Sequence, residues 1–198
     1  MLKYSASLVS ASFWFIESRK IAELILEDYT KEEIMKLALE ENIFQVETER
    51  RIRDIVNNVY GRLSSFPEDI LNCFVNLDVN SAKVFVLISI LHKDKLFFEF
   101  MHEVFKEKII LGDYILKNRD LDIFFDNKSF QSELVEHWTE DTVARLKRGY
   151  SNMLSEAGML DISNGEKKIS IPFVDFGLQE LLIKNNFAPY LYVIIGEQ

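Results

Sequence analysis

Arg145, Lys147, Arg148 and Asn152 put three cations and an amide within one short stretch of the chain. Guanidinium and ammonium groups pair with phosphate oxygens, and Arg and Asn can also form paired hydrogen bonds with base edges. Two further cations, Lys167 and Lys168, lie just past the dipeptide Asn164-Gly165. Near the N-terminus Arg50, Arg51, Arg53 and Asn57 repeat the same residue types. The chemistry these groups could do is recognition of a polyanion.

Bond-making chemistry has no comparable constellation. Glu99 and His102 stand three apart, the spacing of a di-iron ligand pair, but that site needs a second such pair and two more Glu from other helices. His92 and His137 supply no second pair, so a surface or core-edge role is expected for the histidines. There is no glycine-rich phosphate loop, nucleophile elbow or C-x-x-C pair. The single cysteine, Cys73, cannot form an internal disulfide and is expected as a buried core thiol. No catalytic residue, metal, cofactor or small-molecule substrate is expected.

The elements that must position these groups are mainly helical. "FWFIESRKIAELILED" sets Ile16, Ile21, Leu24 and Ile25 on one predicted helix. In "YTKEEIMKLALEEN", Thr30 and Glu33 have capping-box spacing, and Ile34, Leu37 and Ala38 mark the buried face. A third helix, from about Thr48 to Leu63, buries Ile52, Ile55, Val56, Val59 and Leu63. Arg50, Asp54 and Asn57 lie opposite, with Arg51, Arg53 and Arg62 on the flanks. A short helix, a turn and a polar helix bearing Arg and Asn have helix-turn-helix order; a three-helix packing unit with a solvated basic face has the same pattern.

Residues 66–118 read as an apolar helical core, with "DKLFFEFMHEVFKEKI" as one helix carrying a broad stripe from Leu96 to Phe105. "ILKNRDLDIFFDNK" leads into the last third, where "SFQSELVEHW" reads as a helix. Thr139 is the predicted N-cap of the next helix, whose buried face is Val143, Leu146, Tyr150, Met153, Leu154 and Ala157. Arg145, Arg148 and Asn152 project from its far side, with Lys147 on the flank. Gly158 is placed to stop this helix. Two short strands joined by Asn164-Gly165 follow, a hairpin signal. Helix, helix and basic-tipped hairpin is the order of a winged helix; a small α+β end domain whose lysines only solubilise the hairpin is the alternative. The expected organisation is a helical domain over 1–120 and a winged-helix-like domain over 121–198.

The formal charge of -9 over 198 residues argues against indiscriminate phosphate binding, so any nucleic-acid face must be local. Residues 1–62 and 139–170 are nearly balanced in charge, and the acidic excess lies elsewhere. The longest strongly apolar run, Val84 to Leu91, is far short of the roughly 20 residues a membrane span needs. The N-terminal stretch is read as part of the mature protein, and a cytoplasmic location is expected.

"YSASL" at 4–8, "DKLFFEFMHEVFKEKI" at 94–109, "FFDNKSFQSELVEHW" at 124–138 and "TVARLKRGYSNMLSEAGML" at 142–160 together resemble the BrxA family of BREX bacteriophage-exclusion systems. The resemblance spans nearly the whole chain. It implies a small, cofactor-free helical protein that serves phage defence and binds double-stranded DNA. On this sequence the family's helix-plus-wing region matches Arg145, Lys147, Arg148, Lys167 and Lys168, and its N-terminal helical unit matches Arg50, Arg51 and Arg53. The leading expectation is a DNA-binding accessory protein, with other BREX proteins as further partners. A protein-interaction scaffold and a helical RNA-binding protein are the competing readings.

Overall fold

Three helices form the N-terminal third: α1 (Phe15–Leu26), α2 (Lys31–Glu41) and α3 (Glu49–Leu63). The computed structural model describes residues 3–163 and 165–197. The capping box forms at the start of α2, where Glu33 Oε2 accepts the Thr30 amide at 2.8 Å and Thr30 Oγ1 accepts the Glu33 amide at 3.3 Å. On α3 the five residues expected in the core are all buried. Ile16 departs from expectation, being 70% exposed. It precedes Ile21 by five residues, about 140° around the helix, and so falls off the buried stripe.

Arg62 also departs, because it is buried rather than solvated. Its guanidinium donates to the carbonyls of Ser12 and Phe13 and lies over the Trp14 ring, 5.3 Å from the centroid. The chain entering α1 thus consumes this cation.

The core is organised around α5 (Val79–Lys93), which follows α4 (Glu68–Asn76). Residues 84–91 of α5 are buried without interruption, as expected of a helix enclosed on all sides. The expected single helix over 94–109 is instead α6 (Lys95–Phe100), a π turn (Met101–Phe105) and α7 (Lys106–Leu111). The Lys106 amide reaches back five residues to the Met101 carbonyl. This widened turn keeps Phe100, Met101 and Phe105 all on the core side. Cys73, expected inside, is half-buried at the edge of the core.

The lead-in stretch forms a helix of its own, α8 (Asn118–Gln131), where Asp120 Oδ2 accepts the Lys117 amide at 2.7 Å. The expected helix over 129–138 therefore splits: Ser132 is extended, and only α9 (Glu133–Glu136) follows. Next come α10 (Glu140–Glu156), the antiparallel strands β1 (Leu160–Ser163) and β2 (Glu166–Ile169), α11 (Phe176–Lys184) and α12 (Ala188–Ile195). Gly158 ends α10 in a left-handed conformation, φ 76°, with the Met159 amide bonded to the Leu154 carbonyl. In the ladder Leu160 pairs with Ile169 and Ser163 with Glu166. Asn164 of the expected turn lies outside the described residues; Gly165 has φ 80°, which favours glycine.

The other side of β2 is occupied as well. The Leu116 amide donates to the Lys167 carbonyl at 2.9 Å, and the Ile169 amide to the Tyr114 carbonyl at 2.8 Å. One hydrophobic core runs through both halves of the chain. Tyr150 of α10 stacks on Phe97 at 4.3 Å and also meets Phe100 and Phe125. Residue 120 lies inside α8. Among the described residues no helix is long and apolar enough to cross a membrane.

Candidate nucleic-acid interface

Thr139 starts α10 by accepting the Thr142 amide on its Oγ1 at 3.2 Å, with Glu140 and Asp141 in the first turn. The buried side of α10 then holds Leu146, Tyr150, Met153, Leu154 and Ala157, with Val143 half-buried. That packing fixes the rotation of the helix and turns Arg145, Arg148 and Asn152 to solvent.

Lys147, Arg148 and Asn152 line an open groove of about 510 Å³ between α8, α10 and the hairpin, which Lys167 of β2 also lines. Four of the sequence-predicted residues thus converge. Arg145 is on the same helix but not on this lining; its guanidinium lies 3.9 Å from Asp141, one turn back. Lys168 is exposed and, as the neighbour of Lys167 on a strand, occupies the other face of the ladder, opposite Asp161 in register.

Sequence reasoning missed the α8 wall of the groove. Asp122 Oδ1 accepts the Lys147 ammonium at 2.7 Å, and Asn118 Oδ1 accepts the Lys167 ammonium at 2.9 Å. The Lys147 ammonium also lies 5.6 Å from the Phe125 ring centroid. Burial pulls the pKa of Lys167 below the usual lysine range, partly offset by the Asp122 charge. No local sequence signal marks Asn118 or Asp122, because their partners lie a long way along the chain.

The N-terminal residues form a separate grouping. Arg50, Arg51, Arg53 and Asn57 are exposed on α3, whose N-cap Thr48 accepts the Arg51 amide at 3.3 Å. Arg53 pairs with Glu49 at 3.2 Å. Asn57 lines a smaller hollow of about 220 Å³ with Asn58, Arg62, Lys93 and Asp94. Burial raises the Asp94 pKa to about 6, against amide hydrogen bonds from Phe97 and Leu96 and the charge of Arg62. Burial likewise lowers the Arg62 pKa to about 10.

Of the two residues considered as metal ligands, Glu99 is otherwise engaged and His102 faces solvent. Glu99 accepts from Tyr4 and Lys128, while His102 is exposed beside an apolar hollow with Phe98, Pro189 and Tyr192. No group of three His, Cys, Asp or Glu among the described residues could hold a metal ion.

A crystal structure of an uncharacterized protein from Magnetospirillum magneticum has the same fold, with a TM-score of 0.83 at 19% identity over 98% of this chain and 99% of that one. In sequence the chain is 36% identical over 194 residues to the BREX protein BrxA of Bacillus cereus (strain H3081.97), covering 98% of this chain and 97% of that protein. The sequence profile of the BrxA family matches residues 2–186. With both sequence matches running along almost all of the helical chain, this protein belongs to the BrxA family.

Proposed function

We propose that this chain is a non-enzymatic, cytoplasmic double-stranded DNA-binding accessory protein of a BREX phage-defence system. The observation that carries the reading is the convergence of Lys147, Arg148 and Asn152 of α10 and Lys167 of β2 on one groove, walled on its other side by α8. The order of helices α9 and α10 and the hairpin that follows supports a winged-helix-like unit over 121–198, and residues 114–116 of the preceding segment add an isolated bridge along β2. An α-helix with its side chains is about as wide as the DNA major groove, so α10 is the element that would enter it. Arg145 and Arg148 reach phosphates or base edges, Asn152 pairs with a base, and Lys167 and Lys168 hold the backbone. Within the 1–120 unit, Arg50, Arg51, Arg53 and Asn57 of α3 supply a second contact.

Fluorescence anisotropy of a labelled duplex, at low and physiological salt, tests this. Wild type is expected to bind more weakly as salt rises, and the Arg145→Glu/Arg148→Glu protein to lose binding while keeping its helical circular dichroism. Unaltered affinity in that double variant removes these residues from the interface. Competition with duplex RNA separates DNA from RNA binding.

A protein-interaction scaffold is the second reading, favoured by exposed aromatics: Phe130 at 89%, and the edge-to-face pair Phe173 and Phe176 at 69% and 71%. Capture of other BREX proteins that survives nuclease treatment would establish direct contact.

A further inference from the structure

Among the described residues that line the groove, the Asp122 carboxylate works against a polyanion. It accepts the Lys147 ammonium at 2.7 Å, and its charge also acts on Lys167 across the groove. Asp122 keeps 54% of its side-chain surface exposed and Lys147 keeps 25%, so the pair sits at the solvent edge of the groove. An ion pair so placed contributes little to stability. Its effect falls instead on anything charged that enters: in the free protein Lys147 is already neutralised, and a phosphate arriving beside it meets a carboxylate.

We infer that Asp122 is an internal competitor for the groove's ligand, occupying Lys147 until DNA displaces it. The inference rests on the DNA-binding reading and refines it. Phosphate contacts supply affinity without sequence information, whereas base-edge contacts supply discrimination. A carboxylate in contact with a groove cation lowers the first without touching Arg148 or Asn152. The groove is thereby biased against duplex that offers phosphate charge alone, and retention depends on the side chains that can reach bases.

The test is Asp122→Asn, compared with wild type and with the charge-preserving Asp122→Glu, on a labelled duplex of about 20 base pairs over a range of salt. The expected result is roughly three- to tenfold tighter binding, the change expected from removing one nearby charge at a partly exposed site. The plot of log affinity against log salt should steepen by about 0.9, one additional phosphate contact. Asp122→Glu should remain near wild type. In a Lys147→Met background, Asp122→Asn should have a smaller effect.

Binding by wild type with no change in Asp122→Asn overturns the inference and leaves the DNA reading standing. Weaker binding by Asp122→Asn also overturns it, since Asp122 would then be a contact, accepting from a base amino group. Absence of duplex binding by both proteins at low salt overturns the DNA reading and the inference together.

Discussion

Lys128 of α8 and Glu103 of the π turn meet at 2.6 Å, and the same ammonium lies 2.5 Å from Glu99. The Lys128 side chain is only 3% exposed, and Tyr4 donates to Glu99 from the N-terminal end of the chain. One buried cation therefore ties three distant segments together.

Lys128→Met leaves two neighbouring carboxylates without that cation. Glu99 keeps Lys95 at 3.5 Å and the Glu103 side chain is 44% exposed, so the expected cost is about 1.5–3 kcal/mol, read as a lower urea midpoint. The pH dependence has a definite sign. Burial pushes the Glu99 pKa up, but hydrogen bonds from Lys128 and Tyr4 and the lysine charges outweigh it and leave the pKa below normal. That stability is present above the unfolded value, about 4.3, and is lost as pH falls through the lower folded value. The gap between wild type and Lys128→Met should accordingly narrow below about pH 4.

Asp94 behaves in the opposite sense. Its folded pKa, raised by burial to about 6, exceeds the unfolded value of about 3.9, so the fold takes up a proton between them. Its contribution to stability therefore rises as pH falls from about 6 towards 4. Urea melts of wild type and Asp94→Asn at about pH 4.5 and 7.5 check this, and wild type should gain relative to the variant at the lower pH.

Reversing Arg50, Arg51 and Arg53 to Glu is expected to weaken duplex binding less than Arg145→Glu/Arg148→Glu. It should also make the salt dependence shallower, since phosphate contacts set that slope. All three arginines are exposed, so the melting temperature should hold. Anisotropy and thermal melts of the same protein read both quantities.

Tyr150→Ala removes a ring with 0% exposure from among Phe97, Phe100 and Phe125. The expected loss is about 3–5 kcal/mol. Because that cluster joins both halves of the chain, calorimetry of wild type should show one transition, and the variant should lower it as a whole.

What the sequence disclosed was local. Thr30 and Glu33 are three apart, as are Thr139 and Thr142, so each pairing could be read without the fold. The buried face of α3 follows from periodicity alone. Arg62 and Lys128 were unreadable because they are long cations buried against groups far away in sequence, Ser12 and Glu99 among them. The groove was half visible: α10 and Lys167 carry the charge pattern, while Asp122 gains its meaning only when α8 lies beside α10. The π turn was hidden because an i, i+4 pattern and its local widening place nearly the same residues inside. α8 has weak amphipathic patterning, with Ile123 and Phe130 facing solvent, which explains why its stretch read as a connection.

The pairing on both sides of β2 has a consequence for the protein at high concentration. Unpaired strand edges present rows of free amides and carbonyls that recruit strands from other molecules. Here β2 is enclosed between β1 and the segment 114–116, and the outer edges left open belong to a four-residue strand and an isolated bridge. Edges that short make poor templates. Copies crowded in concentrated solution can therefore stand side by side without their sheets fusing into aggregate.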